Sequence, residues 1–119
     1  MALKGWIGFD LDGTLAWYDS WRGPDHIGEP IRPVVDLAKK LLEEGEDVRI
    51  FTARVCSTQP EGLAETARTA IQEWSEKHLG QVVPVTAEKD YTMAQLYDDR
   101  CVQLLTNTGV RADGRKLDA

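Results

Sequence analysis

Two aspartates, Asp10 and Asp12, stand at the end of the apolar run Trp6-Ile7-Gly8-Phe9. A carboxylate placed against a core is unfavourable unless a cation or several hydrogen bonds compensate it. Other reactive side chains follow short apolar runs in the same way. Thr52 and Arg54 follow "DVRIF", Lys89 stands in "EKD", and Asp98, Asp99 and Arg100 leave "AQLY". Carboxylates gathered with a hydroxyl and cations have three chemical uses. They attack an electrophile, they move protons, or they hold a hard cation through oxygen ligands.

The elements that must position these residues alternate in type. Residues 4–10 read as a strand that ends in the aspartates. Residues 11–29 carry Gly13, Gly23, Pro24 and Gly28 and read as a loop, with a small flap over about 15–29. "IRPVVDLAKKLLEE", 31–44, repeats its apolar residues at helical spacing and stops at Gly45. "DVRIFT", 47–52, is a second strand. Thr58-Gln59-Pro60-Glu61 reads as a capping box with proline just inside the helix it opens. That helix carries Leu63, Ala67, Ile71 and Trp74 on one stripe and stops at Gly80. "QVVPV", 81–85, is a third strand, "AQLYDD", 94–99, a fourth, and "VQLLT", 102–106, a fifth. The tail from about 110 to 119 is polar and reads as loose. Strand–helix alternation predicts an α/β fold with a parallel sheet. In such a sheet ligands bind at the carboxyl ends of the strands. Every polar group named above is expected at that one edge.

The chain of 119 residues fits one domain, residues 1–119, with a core of its own. Its net charge of −6 argues against a dominant basic face, so nucleic acid is allowed but not favoured as a partner. Cys56 and Cys101 lack metal-ligand spacing and suit a reducing compartment. No apolar run is long enough to span a membrane, and "MALKGW" lacks the apolar stretch of a secretion signal. The expected location is cytoplasmic, without membrane association.

"DLDGTL", "FTAR", a lysine and "YDDR", in this order, resemble the four motifs of the haloacid dehalogenase (HAD) superfamily of phosphotransferases. The resemblance runs from about Ile7 to Arg100. It implies a Rossmann-like sheet of order 5-4-1-2-3 flanked by helices, and Mg²⁺-dependent phosphoryl transfer through an aspartyl-phosphate. Asp10 is the implied nucleophile and Asp12 the general acid and base. Asp10, the carbonyl of Asp12, Asp98 and Asp99 are the implied Mg²⁺ ligands, Asp99 either directly or through water. Thr52 and Lys89 would hold the phosphoryl oxygens, and Gly13 would let the backbone approach them. Many small relatives have proline after the motif lysine; here Asp90 follows Lys89. Neither insertion point has room for a cap domain, so the chain resembles a capless phosphatase. Such a site is closed by a second copy or left open to a large phosphate ester. "DGTLAWYDSWRGP" is also similar to the 3′-phosphatase domain of polynucleotide kinase-phosphatases. The implied partner is thus a small phosphorylated substrate, with a nucleotide or polynucleotide 3′-phosphate as the alternative.

Each residue also has a plainer reading. Asp-Gly-Thr alone is a turn, Thr52 alone a strand cap, and Lys89 alone one charge in a solvated cluster. Arg54 and Arg100 reach either a substrate phosphate or a neighbouring acid. Trp17 and Trp21 either stack a substrate ring or pack. His26 reads as a loop residue, and Trp6 and Trp74 as core. A dehalogenase is the weakest enzymatic alternative, because those enzymes usually lack the second aspartate. A phosphate-binding or regulatory module without turnover is the non-enzymatic one.

Overall fold

The computed structural model describes residues 4–117. Four parallel strands form one sheet: β1 (Trp6–Asp10), β2 (Asp47–Phe51), β3 (Val85–Thr86) and β4 (Met93–Tyr97), in the order β3-β2-β1-β4. Two helices, α1 (Arg32–Glu43) and α2 (Leu63–Leu79), make the crossovers between β1, β2 and β3. Among the described residues no helix is long and apolar enough to cross a membrane.

The side-chain period of two divides β1 and β2 between two faces. Ile7, Phe9, Val48 and Ile50 join Val35 and Ala38 of α1 and Ala67, Ile71 and Trp74 of α2 in one core. Trp6, Gly8, Arg49 and Phe51 belong to the other face, where no helix lies among the described residues. A parallel sheet normally needs cover on both faces. Here Trp6 supplies much of it. Its indole is fully buried, 4.9 Å beneath the Arg49 guanidinium and beside Phe51. The six-residue connection 87–92 must carry the chain from the end of β3, past β2 and β1, to the start of β4. It straps this face, and Trp6 Nε1 donates to Asp90 Oδ1 at 2.8 Å. Asp90 also accepts from the amide and the hydroxyl of Thr92.

Several expectations need correction. The fifth strand does not form. Residues 103–112 turn back on themselves instead, with Leu105 N donating to Val110 O and Ala112 N to Gln103 O around Asn107 and Gly109. Residues 110–117 of the expected loose tail therefore include one arm of a turn braced by an Arg111–Asp113 ion pair; the last two residues lie outside the described ones. The capping box does not form either. Thr58 pairs its hydroxyl with Cys56 Sγ, and α2 starts at Leu63 after Gly62 in the left-handed region. Only Val85 and Thr86 of the third-strand region are strand. Residues 81–83 are held by Ser75, whose hydroxyl donates to Gln81 O and accepts from Val83 N. Pro84 has no amide hydrogen for a ladder. Trp6 and Trp74 are both buried as expected, Trp74 in the helix-side core and Trp6 on the helix-free face.

Gly8 is required by that arrangement. A Cβ there would lie 2.8 Å from the Trp6 ring and 3.1 Å from Leu96 Cδ1. Gly8→Val should therefore lower stability by about 1–3 kcal/mol, the usual cost of overpacking. A urea unfolding curve with an unshifted midpoint would show that the Trp6 ring does not lie over Gly8.

Candidate active site

The carboxyl ends of β1 and β4 deliver acids, and that of β2 Thr52 and Arg54, to one cleft of about 550 Å³. It is lined by Asp10, Asp12, Tyr18, Trp21, Thr52, Arg54, Gln59, Asp99 and Arg100. Asp10 is the last residue of β1, and Asp98 and Asp99 follow β4, its direct neighbour in the sheet. Carboxylate oxygens of Asp10, Asp98 and Asp99 come within 4.8 Å of one another. Thr14 ties the two strand ends together. Its hydroxyl lies 3.4 Å from Asp10 Oδ2 and 3.3 Å from Asp99 Oδ1, and it accepts from the Asp99 amide at 3.1 Å. The turn that brings Thr14 back is tight: Leu15 N and Ala16 N both donate to Leu11 O. Gly13 has φ +86°, and a side chain there would collide with the Asp99 carboxylate. Its expected role, admitting close approach, thus applies first to Asp99.

Asp12 is turned toward the loop after β2. Arg54 Nε and Nη2 donate to its two carboxylate oxygens, each at 2.8 Å. Arg54 is buried, and its Nη1 donates to the carbonyls of Pro24 and His26 in the flap. Of the two uses expected for Arg54, the neighbouring acid is the one formed. A carboxylate oxygen accepts about two hydrogen bonds, so the pair leaves lone pairs of Asp12 for the cleft. Thr52 caps the single 3₁₀ turn Ala53–Val55, accepting from Arg54 N at 3.2 Å. Its hydroxyl hydrogen remains for an acceptor in the cleft.

Two expected site residues stand elsewhere. Lys89 is exposed and lines a separate groove along β4 with Met93, Gln95, Tyr97 and Val102. The strap explains this: Asp90 is anchored to Trp6, so its neighbour stays with the strap. Trp17 is exposed and lines a second, smaller cleft of about 250 Å³ behind Arg54, with Arg22 and His26. Trp21 does reach the acidic cleft, where its ring lies 5.0 Å from the Arg54 guanidinium carbon. Tyr18, an aromatic residue of the flap like Trp21, also lines the cleft. Thr14 and Gln59 were not expected in the site, and of these two only Thr14 had a signal, its place in "DGT", where a short polar residue on a turn reaches both strand ends.

The acidic cluster perturbs its own titration. Burial, then a hydrogen bond to Asp99, then the charges of Asp98 and Asp99 push the Asp10 carboxyl up to about 7. The native state therefore holds a proton that the unfolded chain has released above its ordinary value of 3.8. Between these values stability falls as pH rises, because the unfolded state binds fewer protons. The depressed carboxyls of Asp90 and Asp113 act below this window. The lowered imidazole of His78 acts in the opposite direction below 6.5, so Asp10 is read by difference: with chelator present, the melting temperature of the wild type relative to Asp10→Asn should decline from about pH 4 to 7. The same slope in both proteins would place the strain elsewhere.

No family model and no curated protein matches this chain. Among solved structures, a conserved protein from Bacteroides thetaiotaomicron is similar at TM-score 0.53 and 22% identity, over 84% of this chain and 79% of that one. The likeness is one of fold.

Proposed function

We propose that this chain is a Mg²⁺-dependent phosphatase of the HAD type that hydrolyses a phosphomonoester. One observation carries the reading: a half-buried carboxylate, Asp10, lies close to two further acids at a cleft that also holds an oriented fourth acid, Asp12. The strand order β3-β2-β1-β4 supports it, being the HAD-like, Rossmann-like order 5-4-1-2-3 without its fifth strand.

The three clustered acids offer oxygen ligands alone, the donor set of a hard divalent cation, and Asp10, Asp98 and Asp99 would hold Mg²⁺. Once bound, the ion neutralises the acids and the phosphoryl oxygens. An Asp10 carboxylate oxygen attacks phosphorus and forms an aspartyl-phosphate as the ester P–O bond breaks. Asp12 gives a proton to the departing oxygen, then takes one from the water that cleaves the acyl-phosphate. The Thr52 hydroxyl donates to a phosphoryl oxygen. Arg100, on the cleft wall, faces the phosphate with a positive charge.

The cleft is open, and Tyr18, Trp21 and Gln59 stand around the acids where a leaving group must lie. This favours an ester with a planar ring, and a nucleotide or polynucleotide 3′-phosphate is the second reading. A binding module without turnover is what a failed assay would leave.

Phosphatase activity should appear with Mg²⁺ and vanish with chelator. Asp10→Asn should lower kcat by at least about 10⁴-fold, as for a lost nucleophile, while far-UV circular dichroism stays unchanged. Substantial turnover in that variant would exclude Asp10 as nucleophile. Asp12→Asn should slow an alkyl phosphate far more than p-nitrophenyl phosphate, whose leaving group needs no proton. Tyr18→Ala should raise KM for a ring-bearing ester by about tenfold, the equivalent of one lost stacking contact, and less for a small alkyl ester. Equal changes on both esters would assign Tyr18 to the fold.

A further inference from the structure

The flap is anchored at its base and at one point of its tip. At the base, Trp17 N donates to Glu29 O, Ile31 N to Leu15 O, and Trp74 Nε1 to Gly28 O. Within the tip, 18–26, the hydrogen bonds are local: Arg22 and Ser20 to Asp19, and His26 N to Gly23 O. Among the described residues, every hydrogen bond from the tip to the rest of the molecule ends on Arg54. The Trp21 ring adds a cation–π contact to the same guanidinium. The remaining donors of Arg54 that are in use grip Asp12 through both oxygens. Arg54 itself is fixed on the 3₁₀ turn capped by Thr52, so it has one backbone position from which to make both sets of bonds.

We propose that Arg54 is a positioning residue that couples closure of the flap tip to the orientation of Asp12. The planar guanidinium makes its bonds to Asp12 and to the flap carbonyls in one rigid fork. With the tip closed, Nη1 is satisfied by Pro24 and His26, and Nε and Nη2 then face Asp12 side by side. With the tip open, Nη1 loses its acceptors, and the buried guanidinium must turn to find others. Asp12 turns with it, away from the departing oxygen. A ligand that seats against the tip thus sets the proton donor without touching it. The coupling is reciprocal: weakening the grip on Asp12 must loosen the tip.

The kinetic part rests on the phosphatase reading, and the structural part does not. Hydrogen exchange of the peptide spanning residues 18–27 reads the tip directly. Arg54→Lys keeps the charge and loses the fork, so tip exchange should accelerate while α1 and α2 stay protected. Asp12→Asn should accelerate it too, although Asp12 makes no hydrogen bond to the tip. In turnover of an alkyl phosphate with Mg²⁺, Arg54→Lys should lower kcat by about 100-fold, the effect of misplacing a reacting group by about 1 Å. KM should stay within about twofold, and p-nitrophenyl phosphate should be spared most of the loss. Unchanged tip exchange in Asp12→Asn would overturn the coupling. So would Arg54→Lys that lowers only the melting temperature and keeps kcat. If the wild-type chain turns over no ester at all, the phosphatase reading fails, and the two exchange experiments still decide the clamp.

Discussion

Mutual repulsion of three carboxylates at the ends of two neighbouring strands is the constraint around which this molecule is arranged. Asp10 ends β1, and Asp98 and Asp99 follow β4. Parallel pairing of β1 with β4 forces their ends together. Arg54 is committed to Asp12 and Lys89 to another groove, which leaves Arg100 as the cation on the cleft wall among the described residues. What holds the acids in register is neutral: the hydroxyl of Thr14, the Arg100 amide that donates to Asp98 Oδ1, and the missing side chain of Gly13. Such a cluster offers carboxylate oxygens alone, and a divalent ion bound there would relieve their repulsion.

The two halves of the sheet surface serve different ends. One face carries both helices and the whole aliphatic core. The other carries the Trp6 indole with Arg49 and Phe51 against it, and a strap. The strap is short because it need only cross the sheet, and Gly8 makes room for the ring it covers. This economy fixes the position of residues 87–92 and explains the absence of Lys89 from the acidic cleft. Among the described residues, the same short crossing leaves β4 as an edge strand, paired with β1 and with no other strand.

Much of this was legible from residue types alone. Apolar runs that end in acids, hydroxyls and arginine gave β1, β2 and β4 and their shared edge. Helical periodicity gave α1 to within a residue at each end. What failed were features decided by competition between partners. "VQLLT" has the composition of a strand, yet its backbone pairs with residues 110–112 rather than with β4. Thr58 has the spacing of a cap, yet a cysteine two residues earlier takes its hydroxyl. Lys89 has the right order in the chain, but order does not reveal which way a connection runs, and the indole anchoring Asp90 lies 84 residues away. Arg54 had two uses on paper. Only the position of the flap carbonyls decides between them.

The pairing of β4 with β1 also dictates the order of assembly. Thr14 meets Asp99 across 85 residues of sequence, while β1, α1, β2, α2 and β3 are built from neighbouring segments. Closing so long a loop is entropically late, and contacts of this range slow folding. On the ribosome, synthesis runs from the N-terminus, so the helical core has its full complement of segments before β4 emerges. The acidic centre is then the last part of the molecule to exist. A nascent chain carries Asp10 without Asp98 and Asp99, and so without the repulsion that their arrival creates. The strained cluster is imposed on a scaffold already able to bear it.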